Sequence, residues 1–91
     1  MNFRSDINPK NIPKSFKRWF KENKFKLVWN KQIQGYDSNT NIYLHNLGLS
    51  IISIQFNIVK GDFYCNYNKL TSLKGYPKEI GRDFICSKFS L

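Results

Sequence analysis

Val59-Lys60-Gly61-Asp62-Phe63-Tyr64-Cys65-Asn66-Tyr67-Asn68-Lys69-Leu70-Thr71-Ser72-Leu73-Lys74-Gly75-Tyr76-Pro77-Lys78 is the stretch that decides how this chain folds. Its opening returns further on, where Gly61-Asp62-Phe63-Tyr64-Cys65 is answered by Gly81-Arg82-Asp83-Phe84-Ile85-Cys86. Asp62 and Asp83, Phe63 and Phe84, Cys65 and Cys86, Leu70 and Leu91, and Val59 and Ile80 are each 21 residues apart. One more step back falls on Asn41, Ile42, Leu44, Leu49 and Ile52, a degenerate first register. Self-similarity at a short fixed period marks a chain that winds and returns to its own start.

The side chains suit such a path. Phe63 and Cys65 alternate with Tyr64, so in an extended strand the first two point inward and the tyrosine outward. Leu70 and Leu73 are expected to close the inner side of the next leg. Lys74-Gly75-Tyr76-Pro77 turns the corner, because Gly takes positive φ without cost and Pro fixes its own φ. Strands of successive windings then stack in parallel at about 4.8 Å, and only the stacking buries their inner faces.

The fragment Phe63-x-Cys65-x-x-Asn68-x-Leu70 resembles the L-x-L-x-x-N-x-L core of leucine-rich repeats. The longer stretch resembles a variant found in bacteriophage and prophage proteins, roughly V-G-G-D-F-x-C-S-x-N-x-L-T-S-L-x-G-x-P. The likeness is strong over residues 58–86, thin over 41–57 and absent over 1–40. It implies that Asn68 bonds to backbone in the turn. Leu47 and Phe89 hold the same position one winding away, where looser turns are expected.

The expected fold is therefore α+β, in one domain over residues 1–91. An N-terminal amphipathic helix and strand cap a short leucine-rich-repeat-like solenoid with a small, largely parallel sheet. Residues 41–91 supply about two and a half 21-residue repeats, and residues 1–40 form a basic cap. Within the cap, residues 1–11 read as a loose leader. Pro13 suits a first helical turn, where its missing N–H costs little. Phe16, Trp19 and Phe20 follow at i, i+3 and i+4, with Lys14, Lys17, Arg18 and Lys21 around them, which predicts a helix at about 13–23. Too short to stand alone, it must dock, and the open end of the solenoid is the expected dock. Phe25, Leu27 and Trp29 alternate with Lys24, Lys26 and Val28, which predicts a strand pairing with the first repeat strand. Gln34 to Asn41 reads as turn.

Charge is concentrated. The chain carries fifteen Lys and Arg against six Asp and Glu, a net +9. Between Lys10 and Lys31 there are eight bases and one acid, Glu22. Such a field suits nucleic acid, an acidic protein surface or anionic lipid, although solubility alone also accounts for it. Hydrophobic residues are 41% of the chain, too many for a disordered protein. No run approaches the ~18 apolar residues of a membrane span, and the N-terminus lacks a signal-peptide core. A cytoplasmic location is expected, with both cysteines reduced.

Motifs for chemistry are missing. Cys65 and Cys86 recur at the repeat offset and read as inward rungs, and with a single histidine they make a poor zinc site. His45 falls on the outward side, away from the inward thiols, so a nucleophile–base pair is not expected. Asp62 and Asp83 more often cap turns than carry protons. No phosphate loop, dinucleotide fingerprint or zincin motif occurs. The chain is expected to be no enzyme, with no cofactor and no metal.

What remains is surface. Tyr43, Tyr64 and Ile85 are expected to form one outward column, with His45, Asn66 and Ser87 beside it. Rigid aromatics give contact area at low entropic cost, so Tyr43, His45, Tyr64, Asn66 and Ile85 are the candidate partner-binding residues. A fold-back of the N-terminal segment over the column is the competing expectation. Lys14, Lys17, Arg18, Lys21, Lys24 and Lys26 are the candidates for nucleic acid or an acidic surface. Phe16, Trp19 and Phe20 serve either as a core face or as a base-stacking platform. The resemblance and the small size imply a phage accessory protein that occupies a host defence enzyme, in its sharpest form an anti-CRISPR-like inhibitor of an RNA-guided nuclease. The alternatives are a basic RNA or single-strand binder, and a structural module that self-associates through an uncapped last coil.

Overall fold

The computed structural model describes residues 12–86. The leader at 1–11, Ser87, and the last register at Phe89 and Leu91 lie outside the described residues.

Pro13 precedes helix α1, Lys14–Asn23, and its carbonyl accepts the N–H groups of Phe16 and Lys17, both at 3.1 Å. The i, i+3, i+4 aromatics form the buried face, Phe16, Trp19 and Phe20, and Lys14, Lys17, Arg18 and Lys21 stay exposed. The helix does not run straight into a strand. One 3₁₀ turn, Lys24–Lys26, intervenes and turns Phe25 outward to 80% exposure. The expected inward alternation therefore begins only at β1, Leu27–Asn30, where Leu27 and Trp29 pack on the core.

The segment read as turn is instead half strand. β2, Gly35–Ser38, pairs antiparallel with β1, and the reversal is confined to residues 31–34 with Gln34 at φ 57°. The polar residues that suggested a turn are used within the strand. Asp37 accepts the Asn57 Nδ2 bond at 2.9 Å and the Ile58 N–H at 3.0 Å, and Ser38 closes a small loop with Thr40. β1 thus pairs with β2 rather than with the strand at Ile42.

Two sheets result. One has the order β1-β2-β4-β6, with β4 at Phe56–Val59 and β6 at Glu79–Ile80. The other has the order β3-β5-β7, with β3 at Ile42–Tyr43, β5 at Phe63–Tyr64 and β7 at Phe84–Ile85. Among the described residues only the β1–β2 pair is antiparallel. In the second sheet the partners are 21 residues apart throughout, Ile42 beside Phe63 beside Phe84, and Tyr43 beside Tyr64 beside Ile85. Ile58 and Val59 pair with Glu79 and Ile80 at the same offset. Among the described residues the architecture is a small α+β fold with one α-helix and mostly parallel sheets.

Between the sheets lie Phe56, Phe63, Ile42, Leu44, Leu49, Ile52, Ile54, Val59, Cys65 and Leu70, all fully buried. α1 closes this core. Trp19 meets Phe56 edge-on at 6.4 Å, Phe20 meets Tyr36 at 5.9 Å, and the Ser15 hydroxyl donates to the Leu47 carbonyl at 2.6 Å. Leu73 does not join them. It is 72% exposed, because the corner that begins there swings its side chain outward while Gly75 packs against Ile52 and Ile54.

The cysteines also differ from expectation. Cys65 and Cys86 occupy adjacent inward positions as expected, but they are joined as a disulfide with their Cα atoms 4.7 Å apart. Register explains it: neighbouring parallel strands place equivalent residues within the Cα separation that disulfides use.

Candidate functional site

The outer face of the β3-β5-β7 sheet carries the tyrosine column. The Tyr43 and Tyr64 rings stack at 5.0 Å between centroids and 19° between planes. His45 stands edge-on to both, at 6.2 and 6.5 Å. Ile85 sits beside Tyr64 in register and is half-buried. Of the five candidate docking residues, Tyr43 and His45 are exposed, and Tyr64, Asn66 and Ile85 are half-buried.

A column of acceptors flanks the rings. The Asn41 side-chain oxygen accepts the Asp62 N–H at 2.7 Å, and the Asp62 carboxylate accepts the Asp83 N–H at 2.8 Å. The other atoms of the same groups hold the rings. Asn41 Nδ2 donates to the Tyr43 hydroxyl at 2.9 Å, and the Tyr64 hydroxyl donates to Asp62 at 3.4 Å. Residues two apart in a strand share a face, so this support was implicit in the spacing 41/43 and 62/64. Partial burial first, then the Asp62 carboxylate and Tyr43, push the Tyr64 phenol above its ordinary pKa and keep it protonated. Asp62 links neighbouring strands β5 and β7 by accepting the Asp83 N–H.

Lys26 joins the two groups of candidates. Its Nζ lies 5.9 Å from the centroid of the Tyr43 ring, within cation–π range. Lys24 is exposed beside it, and Lys17, Arg18 and Lys21 line a shallow hollow with Glu22 on the helix. The aromatics between those cations are not available to a ligand. Phe16 is fully buried, and Trp19 and Phe20 retain 8% and 4% exposure. Of the two roles open to them, the core face is the one they occupy.

One apolar feature was missed. Exposed Phe25 and Val28, with Lys26, Asp37, Asn39 and Thr40, line a hollow of about 260 Å³ beside the edge strand β1. The 3₁₀ turn that exposes Phe25 leaves no signal in the alternating pattern. Among the described residues no group of three metal-ligating side chains comes together, and no helix is long and apolar enough to cross a membrane.

No protein-family model, curated protein or solved structure matches this chain.

Proposed function

We propose that the chain is a short leucine-rich-repeat-like solenoid of phage type that docks on a protein partner through Tyr43, Tyr64 and Ile85. The observation that carries this reading is the Tyr43–Tyr64 stack. Each ring presents one face to the other, and Lys26 lies over Tyr43. An intercalating base would have to separate the rings, whereas a protein surface can use the ring edges and hydroxyls as they stand. Hydrogen bonds from Asn41 and to Asp62 hold those hydroxyls in place before any partner arrives, which lowers the ordering cost of binding. The cations beside the stack favour an acidic partner surface and speed encounter with it.

The partner class follows from the resemblance to phage repeats. The proposed role is inhibition of a host defence enzyme, with an RNA-guided nuclease as the sharpest case and no catalysis by this chain. Fold alone does not assign function, so the test must be biochemical. The purified chain is mixed with candidate RNA-guided nucleases, and retention and cleavage are measured. Tyr64→Ala should cost at least about tenfold in inhibition, as expected of a buried aromatic anchor. Reversing Lys17, Arg18, Lys21 and Lys24 to Glu should mainly slow association. If none of the nucleases is retained or inhibited, the inhibitor role fails.

Direct RNA binding is the second reading, favoured by the exposed cations of α1. Its mark is affinity that falls steeply with salt, is abolished by the four charge reversals, and is indifferent to Tyr64→Ala.

A further inference from the structure

An open aromatic ring, a carboxylate and several cations meet at the hollow beside β1. Phe25 is 80% exposed, more than any other large apolar side chain among the described residues. It sits on ordered backbone, in the 3₁₀ turn between α1 and β1 that the Leu27 N–H closes on the Lys24 carbonyl. Val28 and Asp37 are opposite partners in β1 and β2, so their side chains share one face. Both line the hollow with Phe25 and Lys26.

Size and charge narrow the occupant. The volume of about 260 Å³ falls short of the roughly 300–1,000 Å³ of sites that enclose a whole drug-sized ligand. It suits one flat group of a larger molecule. Lys21, Lys24 and Lys26 flank Phe25 in the chain, and Lys17, Arg18 and Lys21 line the next hollow along α1. Lys60 stands on the β2 side of Asp37, its N–H bonded to the Ser38 carbonyl at 2.9 Å. Such a surface draws an anionic backbone.

Asp37 adds a third requirement. Its Oδ1 accepts from Asn57 and Ile58, while its Oδ2 has only a long bond of 3.5 Å from Asn30 among the hydrogen bonds of the described residues. The carboxylate can therefore accept a further N–H. A lipid tail is disfavoured on the same ground, because hydrocarbon would bury an ionised carboxylate. An acidic peptide satisfies the cations and is repelled by Asp37. A single-stranded nucleic acid meets all three demands, with phosphates for the cations, a π-face for Phe25 and an amino group for Asp37. In a duplex those faces are stacked and those edges paired.

We infer that this hollow seats one unpaired, amino-bearing base of a single-stranded nucleic acid, stacked on Phe25 with its amino group on Asp37 and its phosphates along Lys24, Lys26 and the α1 cations. This rests on the nucleic-acid reading for the phosphate contacts and is independent of the tyrosine column. Among pyrimidines the site prefers cytosine. Uracil presents a carbonyl where cytosine has its amino group, and would meet the carboxylate acceptor to acceptor.

Fluorescence anisotropy tests this with three labelled RNA strands of equal length: cytidines, uridines and abasic residues. The cytidine strand should bind about tenfold more tightly than the abasic one, the difference one stacked base supplies. Phe25→Ala should remove that difference and Phe25→Trp keep it, with the salt dependence unchanged in both, since phosphate contacts remain. The uridine strand should fall between the other two. Should Phe25→Ala fail to fold by circular dichroism, the Phe25 ring resonances of the unaltered chain decide, shifting with the cytidine strand and not with the abasic one. If the unaltered chain binds no strand, the nucleic-acid reading falls and this site with it. Equal binding of cytidine and abasic strands, or a preference that survives Phe25→Ala, overturns the base site and leaves the phosphate contacts standing. A uridine strand that binds as well as or better than cytidine overturns the part given to Asp37. Phe25-dependent binding to phosphatidylserine vesicles with no preference among the strands would make the hollow a lipid contact instead.

Discussion

The carboxamide of Asn68 is bonded to the backbone of Leu47, the residue 21 positions before it. Its Oδ1 accepts the N–H of Leu47 and of Leu49, each at 3.0 Å, and its Nδ2 donates to the carbonyls of Leu44 and Cys65 at 2.8 and 3.0 Å. A single buried amide therefore serves the backbone around Leu44–Leu49 and around Cys65 at once. The apolar side chain of Leu47 could not have provided this, which is why the segment Leu44–Leu49 depends on Asn68. Asn68→Ala would strand several buried backbone groups, each costing roughly 1–3 kcal/mol. An overall loss of about 3 kcal/mol is expected in urea unfolding, and Asn68→Asp should not restore it, because both donor contacts are lost. A loss under about 1 kcal/mol would mean that water replaces the amide.

Two glycines at positive φ separate strain from collision. Gly48 has φ 70° with open space around it, while Gly75 has φ 88° and a β-carbon there would lie 2.6 Å from the carbonyl oxygens of Ile52 and Ile54. Gly48→Ala should cost only the left-handed penalty of about 1–2 kcal/mol. Gly75→Ala adds a collision with backbone and should cost clearly more. Equal melting temperatures for the two variants would contradict the corner as described.

Asp37 gives the fold an acid-sensitive joint. Burial alone would raise its pKa, but the Ile58 N–H, the Asn57 and Asn30 side chains and the charge of Lys60 together lower it below the usual value. A depressed folded pKa means that the unfolded chain takes up the proton first. The stabilisation is complete above the unfolded value of about 4 and drains away as pH falls through the folded value. Urea midpoints of the unaltered chain and Asp37→Asn should therefore lie further apart at pH 6 than at pH 3. A gap that widens on acidification would reverse the sign of this argument.

The parallel register was legible because it depends on offset alone. Phe63 and Phe84, or Tyr43 and Tyr64, had to meet if the chain returned after 21 residues, and they do. The α1 face was legible for a similar reason, since Phe16, Trp19 and Phe20 share a side at any helical spacing. Errors arose where local chemistry has two uses. Asp37 and Ser38 are turn formers by composition, yet here their side chains bond to Asn57, Ile58 and Thr40 from within a strand. Phe25 fits an alternating pattern, yet one 3₁₀ turn rotates it into solvent, and nothing in residues 24–26 signals that turn. At the tyrosine column the residues were legible. The Lys26 contact was not, because it joins segments that no periodicity relates.

The cysteine pair can be counted directly. With Cys65 and Cys86 bonded, chain denatured without reductant should show no reactive thiol, and reduction should release two. Reduction should also lower stability by roughly 2–4 kcal/mol, the usual contribution of a disulfide closing a loop of this length. Two reactive thiols in the unreduced chain would return these residues to the role of buried free cysteines.

Trp19 distinguishes a core face from a stacking platform. The ring is 8% exposed, edge-on to Phe56 and stacked on Phe16 at 5.6 Å. In a Trp29→Phe background its emission should be blue-shifted and poorly quenched by iodide. Adding single-stranded RNA should leave it unchanged, even at low salt where the neighbouring cations attract phosphate most strongly. A base can stack only on an open ring, and opening this one would expose Phe16 and Phe20 with it, at about 1.5–3 kcal/mol for each large side chain. Stacking returns roughly 1–3 kcal/mol per base, too little to offset that loss. Quenching of Trp19 by RNA would therefore show that α1 lifts from the core, and would move the proposed binding surface from the tyrosine column to the helix.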